Sequence, residues 1–253
     1  MQLQQLISVL DELLQPNLVK DYCHNGLQIE GKPKITKIVT GVTASLALIN
    51  KAIELNADAI LVHHGYFWKG ESPEIIGMKK QRVAALLKHD ISLLAYHLPI
   101  DVHPIYGNNK QLGDLLGLQD IQAVSSIEPK GIVMSGKLSQ AMEHHSLLSV
   151  FKDKLGRDPI SVGNKSNIKQ LAWCTGGGQG FIDAVANQTE VTIDAFVSGE
   201  ISEQTTHSAI EQNIDYFAIG HHASERYGVK AVGEYLASQY ALDVTFVDIH
   251  NPA

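Results

Sequence analysis

The sequence predicts an α/β protein with two similar α/β lobes, their mostly parallel or mixed sheets flanked by helices and a metal site in the cleft between them. Three observations carry this. Short apolar runs, Ile60-Leu61-Val62, Leu93-Leu94-Ala95-Tyr96 and Phe217-Ala218-Ile219-Gly220, have the composition of buried strands. Each runs into histidine or carboxylate, and in open α/β sheets ligands bind beyond the carboxyl ends of strands. The second half also repeats the grammar of the first: Asp58-Ala59-Ile60-Leu61-Val62 faces Asp194-Ala195-Phe196-Val197-Ser198, and Gly41-Val42-Thr43 faces Gly176-Gly177-Gly178, as in diverged copies.

Leu3, Leu6, Ile7, Leu10, Leu13 and Leu14 recur at helical spacing, so the chain opens with an amphipathic helix that Pro16 ends. Residues 21–31, with Asn25-Gly26, read as a loop. A strand over 35–39, a helix over 43–56 and a strand over 59–62 make a βαβ unit, which a helix over 81–88 and a strand over 91–96 extend. Residues 119–165 lose that clarity, with breaks at Pro129-Lys130-Gly131 and Ser135-Gly136, so the lobe boundary is placed near 125, giving lobes 1–125 and 126–253. The pattern resumes with a strand over 170–174, a glycine-rich turn, a helix over 181–188 and a strand over 195–198. A strand over 214–220, a helix over 223–239 and a strand over 244–249 close the chain.

With 253 residues and 44% hydrophobic content, the chain buries roughly 70–75% of its unfolded surface and needs no covalent staples. The only cysteines, Cys23 and Cys174, lie far apart, which argues against a disulfide framework or a cysteine-based zinc site and fits a reducing cytoplasm. No basic leader opens the chain and no apolar stretch approaches the ~20 residues of a membrane span, so a cytoplasmic protein is expected. A net charge of −7, with its 20 Lys and Arg dispersed, argues against an extended nucleic-acid footprint. The expected partner is a small-molecule substrate.

His221 and Glu225 stand four apart after Gly220, on one face of the first turn of a helix, within about 5–6 Å at their Cβ atoms. The bland alternative has Glu225 complementing the helix dipole. His63 and His64 would point to opposite faces of a continuing strand, so they share a site if the backbone turns at Gly65, or each serves a different ion of a pair. Pro99, between His97 and Asp101, argues for a strand end opening into a loop, from which a carboxylate can bridge two ions. Imidazoles and carboxylates gathered in apolar surroundings are costly to bury unless coordinated. Oxygen and nitrogen donors without thiolate suit Zn²⁺, Mn²⁺, Fe²⁺ or Mg²⁺. The segment Cys174-Thr175-Gly176-Gly177-Gly178-Gln179-Gly180 reads either as a phosphate cradle or as a turn needing positive φ. Ser198-Gly199-Glu200 and His207 either support the site or cap a helix, Tyr66-Phe67-Trp68 either stack on a flat ring or pack, and His144 and His145 read as surface.

Taken together, Thr40-Gly41-Val42-Thr43-Ala44-Ser45, Val62-His63-His64-Gly65-Tyr66-Phe67-Trp68-Lys69-Gly70, His97-Leu98-Pro99-Ile100-Asp101, Trp173-Cys174-Thr175-Gly176-Gly177-Gly178-Gln179 and Gly220-His221-His222-Ala223-Ser224-Glu225 resemble the GTP cyclohydrolase I type 2 homologue family. The likeness spans essentially the whole chain. It implies a dinuclear centre with two divalent metal ions per subunit, ligated by His63, His64, Asp101, His221 and Glu225. His97 would either ligate or line the pocket, and the subunits would form a toroidal homohexamer; free of metal, His97 reads as a catalytic proton carrier. The activity it implies is metal-dependent hydrolysis, with a purine nucleotide as one substrate class. A metal-stabilised, non-catalytic interaction protein stays open as the alternative.

Overall fold

The computed structural model describes residues 1–188 and 190–253, whose strands form two sheets, one in each of two units. The first unit comprises Met1–Ile100 and Gly228–His250, the second Asp101–Tyr227 and Asn251–Ala253. The boundary expected near 125 therefore moves to 100/101, and the end of the chain returns to the first unit. The cause is strand pairing: the late strand β11 (Asp243–Phe246) lies parallel to β2 (Lys37–Thr43), and its partner lies some 200 residues earlier, beyond the reach of a boundary drawn from local composition.

In the first unit, α1 (Leu3–Leu14) buries Leu3, Leu6, Leu10 and Leu14, the stripe that its periodicity predicts. The sheet then takes β1 (Gly26–Ile29), β2, β3 (Ala59–His64), β4 (Ser92–Ala95) and β11 in the order β1-β4-β3-β2-β11. All but β1 run parallel, and β1 pairs antiparallel with β4. The segment expected as a loop thus supplies an edge strand, one that a run of only four residues does not announce. Helices α2 (Leu46–Glu54), capped by Ser45, and α3 (Gly77–Lys88) bury Leu48, Ile49, Ala52, Val83 and Leu86 in a core with Val39, Ile60, Val62 and Leu93. A one-turn helix α4 (Leu98–Val102) follows β4 where a loop was expected. Pro99 does not prevent it, because proline in a first turn forfeits no intrahelical hydrogen bond.

The second unit holds α5 (Asn108–Leu115), β5 (Gln119–Ala123), β6 (Met134–Met142), α6 (His144–Leu155), β7 (Ile160–Val162), β8 (Ile168–Cys174), α7 (Ile182–Ala186), β9 (Ala195–Ser198), α8 (Glu203–Glu211), β10 (Asp215–Ala218) and α9 (His221–Tyr240). The division between the units falls within α4 and α9. Its sheet order is β5-β6-β8-β9-β10-β7, around a core of Leu147, Phe151, Leu171, Trp173, Val197 and Phe217.

The two units share one plan. The succession α1-β1-β2-α2-β3-α3-β4-α4 is matched by α6-β7-β8-α7-β9-α8-β10-α9, and both sheets read edge, fourth, third, second strand, with only the edge strand antiparallel among those four. Details match too. Asp58 Oδ2 accepts the N–H groups of Thr36 and Lys37 at the start of β2, and Asp194 Oδ2 those of Lys169 and Gln170 in β8. Among the described residues no helix is long and apolar enough to cross a membrane.

Candidate metal centre

In the first unit the site grows from the carboxyl ends of β3 and β4. His63 and His64 are the last two residues of β3, so the strand does continue through both, yet their rings lie 4.4 Å apart at the centroids. Each Nδ1 has a separate tether: His63 Nδ1 is 3.3 Å from the Tyr96 carbonyl, and His64 Nδ1 is 3.3 Å from Thr43 Oγ1. Gly65 serves close approach, since a Cβ there would stand 2.3 Å from Gln28 Oε1 and 2.5 Å from the Ala95 Cβ. His97, just past β4, brings its ring to 5.0 Å from His63 and 5.6 Å from His64. One nitrogen from each of the three imidazoles lies within 4.8 Å of the others. Trp68 and Tyr22 meet the His97 ring edge-on, each at 5.0 Å. The Tyr66-Phe67-Trp68 segment thus sets Trp68 against the His64 and His97 rings, whereas Tyr66 is buried and hydrogen-bonded to the Ala44 carbonyl.

Sequence reasoning missed Asp21, whose Oδ1 lies 3.0 Å from His97 Nδ1. Burial works to raise its pKa, but hydrogen bonds from His97 and Asn25, the His97 charge and the Tyr22 N–H outweigh that and hold the carboxyl at about 2. Nothing in the sequence around residue 21 links it to residue 97; only the pairing of β1 with β4 does.

In the second unit, Glu225 and Asp101 are buried carboxylates that offer oxygens within 4.8 Å of one another. Asp101 Oδ1 accepts from Asn108 Nδ2 at 2.8 Å and from Thr175 Oγ1 at 3.4 Å, donors that steer the carboxylate without supplying charge. The helix start after Gly220 brings His221 Nε2 to 3.1 Å from Glu225 Oε2, as spacing four apart predicts. On its other side His221 Nδ1 lies 2.6 Å from Glu200 Oε1. Burial works to lower the His221 pKa, and the hydrogen bonds and charges of Glu225 and then Glu200 outweigh it, pushing it up to about 9. The hydrogen bond to His221 is also the main reason Glu200 is held below the usual carboxylate range.

The glycine-rich segment is what lets these groups meet. Gly176 has φ of +63°, and a Cβ on it would stand 2.0 Å from Glu225 Oε1 and 3.2 Å from His221 Nε2. Its N–H donates to Ser224 Oγ, fastening the turn to α9. Cys174 is fully buried, and burial, then the charges of Asp101 and Glu225, push its thiol well above the usual range, so it stays protonated and supplies no thiolate.

Other buried polar groups lie at the opposite ends of strands. His144, read from sequence as surface, is buried: Nδ1 lies 2.7 Å from Asp215 Oδ2 and Nε2 2.8 Å from Ser161 Oγ, and its ring stacks on Phe217. The connectivity is that of a serine–histidine–aspartate triad. However, Asp215 opens β10 instead of following it, and the same Oδ2 accepts the Lys165 N–H much as Ser92 Oγ accepts the Gly31 N–H in the first unit. We read it as a strand-start lock. His145 is exposed, as expected.

A family model, Duf34/NIF3 (NGG1p interacting factor 3), matches residues 1–252. The chain belongs to the NIF3 family. A GTP cyclohydrolase 1 type 2 homolog from Pseudomonas aeruginosa is 49% identical over 252 residues, covering 99% of this chain and 98% of that one. The solved structure of protein ybgI, described as of unknown function, matches with a TM-score of 0.94 at 49% identity over 100% of both chains. TTHA1606 from Thermus thermophilus matches with a TM-score of 0.89 at 30% identity over 100% of both. This NIF3-family chain therefore shares both its sequence pattern and its α/β architecture with those relatives. It carries histidine, aspartate and glutamate groups able to hold metal.

The donor chemistry fits a divalent cation. Among the described residues, imidazoles and carboxylates come within ligand distance of one another in several groups, and Asp101 and Glu225 are 5% and 2% exposed, positions at which charge is costly without a counter-ion.

Proposed function

We propose that this chain is a divalent-metal-dependent hydrolase with a dinuclear centre ligated by His63, His64, Asp101, His221 and Glu225. The observation that supports it best is the sorting of groups by strand end: two imidazoles on the last residues of β3 and a third just past β4, and the Asp101, Glu225 and His221 set around the β8 and β10 ends, in units built on one plan. When bound, a pair of divalent cations supplies a water ionised near neutral pH and a polarised electrophile.

The chain's own residues do the rest. Asn108 and Thr175 orient Asp101, Gly176 leaves room for Glu225, and Glu200 turns the His221 ring so that Nε2 points toward Glu225. His97 takes or returns the proton at the leaving atom through Nε2. The substrate is a small molecule, and the names of the relatives make purine nucleotides the first class to assay. The subunits assemble as a homohexamer.

The test is metal content, oligomeric mass and turnover of purified wild-type, Asp101→Ala and Glu225→Ala proteins against nucleotide, phosphoester and amide panels. Both variants should stay folded and lose metal together with activity. Full metal occupancy and turnover in Asp101→Ala would overturn the reading. A ring that dissociates on chelation, from a protein that turns over nothing, would replace it with a metal-stabilised interaction protein.

A further inference from the structure

Asp21 lies in the segment before β1, outside the ligand set. Its carboxylate is surrounded by donors. Oδ1 accepts the Tyr22 N–H at 2.7 Å and lies 3.0 Å from His97 Nδ1; Oδ2 accepts the Leu98 N–H at 2.9 Å and Asn25 Nδ2 at 3.0 Å. Asn25 closes the ring, its Oδ1 accepting the His97 backbone N–H at 2.7 Å. An ionised carboxylate accepts only, so the imidazole nitrogen that faces it has to carry hydrogen. Flipping the ring by 180° would set Cδ2–H against Oδ1 and forfeit this hydrogen bond, and the edge-on Tyr22 and Trp68 rings, each 5.0 Å away, pack beside the ring plane as it stands.

We propose that Asp21 is a positioning residue that holds His97 in its Nδ1–H tautomer, leaving the Nε2 lone pair as the working atom of a ring whose centroid lies 5.0 Å from that of His63 and 5.6 Å from that of His64. The same atom is delivered whether His97 ligates a cation or moves a proton, so the inference rests on the dinuclear reading only for its consequence and not for the tautomer. A carboxylate on the far nitrogen of a ligating histidine sets tautomer and basicity together, and losing such a partner typically weakens metal affinity by about 10–100-fold.

A purely structural role is the competing account, because Asp21 also ties the segment at 21–25 to the start of α4. Asp21→Asn separates the two. It is nearly isosteric: with its oxygen kept on the Leu98 N–H, its amide stands where Oδ1 stood, gives up the Tyr22 N–H and can donate to Nδ1, which admits the Nε2–H form. The readout is the long-range ¹⁵N–¹H spectrum of the full chain, metal-free and labelled at histidine, at about pH 8. His97 is assigned from the signals lost in His97→Gln.

The wild type should show Nδ1 protonated and Nε2 bare, Asp21→Asn should move the proton to Nε2, and the zinc affinity of Asp21→Asn should fall about 10–100-fold. A wild-type His97 protonated on Nε2, or an Asp21→Asn protein that melts lower but keeps the wild-type tautomer, would overturn the proposal. Should Asp21→Asn fail to fold, the wild-type spectrum decides alone. A wild type that binds no zinc sinks the dinuclear reading and leaves the tautomer to be judged on its own.

Discussion

Replacing Gly176 by alanine separates the space the site needs from the backbone geometry it needs. The φ of +63° costs an L-residue about 1–2 kcal/mol. The new Cβ would stand 2.0 Å from Glu225 Oε1, against 3.4–4 Å for ordinary contact, so the carboxylate has to retreat by more than an ångström. Metal–ligand distances tolerate only about 0.2 Å, so a ligand displaced that far is lost or replaced by water, and affinity should drop at least about tenfold. Each tenfold loss removes about 1.4 kcal/mol of the stability that bound metal confers. Gly156 is the control, because its φ is +73° and nothing lies within 4 Å of its missing Cβ. Thermal melts with chelator should show Gly176→Ala and Gly156→Ala each falling by roughly 2–8 °C. With excess zinc, Gly156→Ala should keep that deficit while Gly176→Ala falls further behind the wild type. Equal deficits in both conditions, with unchanged zinc affinity, would refute the claim that Gly176 makes room for a ligating Glu225.

His144→Ala takes from Asp215 Oδ2 and Ser161 Oγ their buried imidazole partner and should cost about 1–3 kcal/mol per lost hydrogen bond in urea unfolding while leaving metal content unchanged; a loss of metal would move this network into the site. Asp194→Ala strips the acceptor from the Lys169 and Gln170 N–H groups and should cost about 2–4 kcal/mol, measured the same way. For Asp58, burial works to raise the pKa, and hydrogen bonds from the Thr36 side chain, the Thr36 and Lys37 N–H groups and Lys32 outweigh it, so the folded value is depressed. Its stabilisation is therefore full above the unfolded value of about 3.9 and lost as pH falls through the folded value. Acid melts of Asp58→Asn should show a shallower loss over that window than the wild type, and parallel curves would refute the assignment.

How much of this was legible in the sequence varied with the range of the interaction. The strand that ends in His63-His64 and those that lead on to His97 and His221 were legible because a buried parallel strand needs an unbroken apolar run, and Asp58 and Asp194 mark the same step in the two copies. Spacing also placed Glu225 beside His221, since a helix makes residues four apart neighbours. Pro99 misled, because its prohibition applies to helix interiors and α4 has none. The four-residue β1 and the burial of His144 carried no periodic signal. The return of residues 228–250 to the first unit was hidden because β11 pairs with a strand far back in the chain.

By itself the sequence determined what local rules control: the α/β class, the identity of the donors, and their placement after strands or on a first helical turn. Tertiary structure alone decided which distant groups share an atom's surroundings: Asp21 behind His97, Glu200 behind His221, Gly176 against Glu225. Those pairings depend on strand register and on loops crossing from one element to another, and register is an outcome of packing that no single segment encodes.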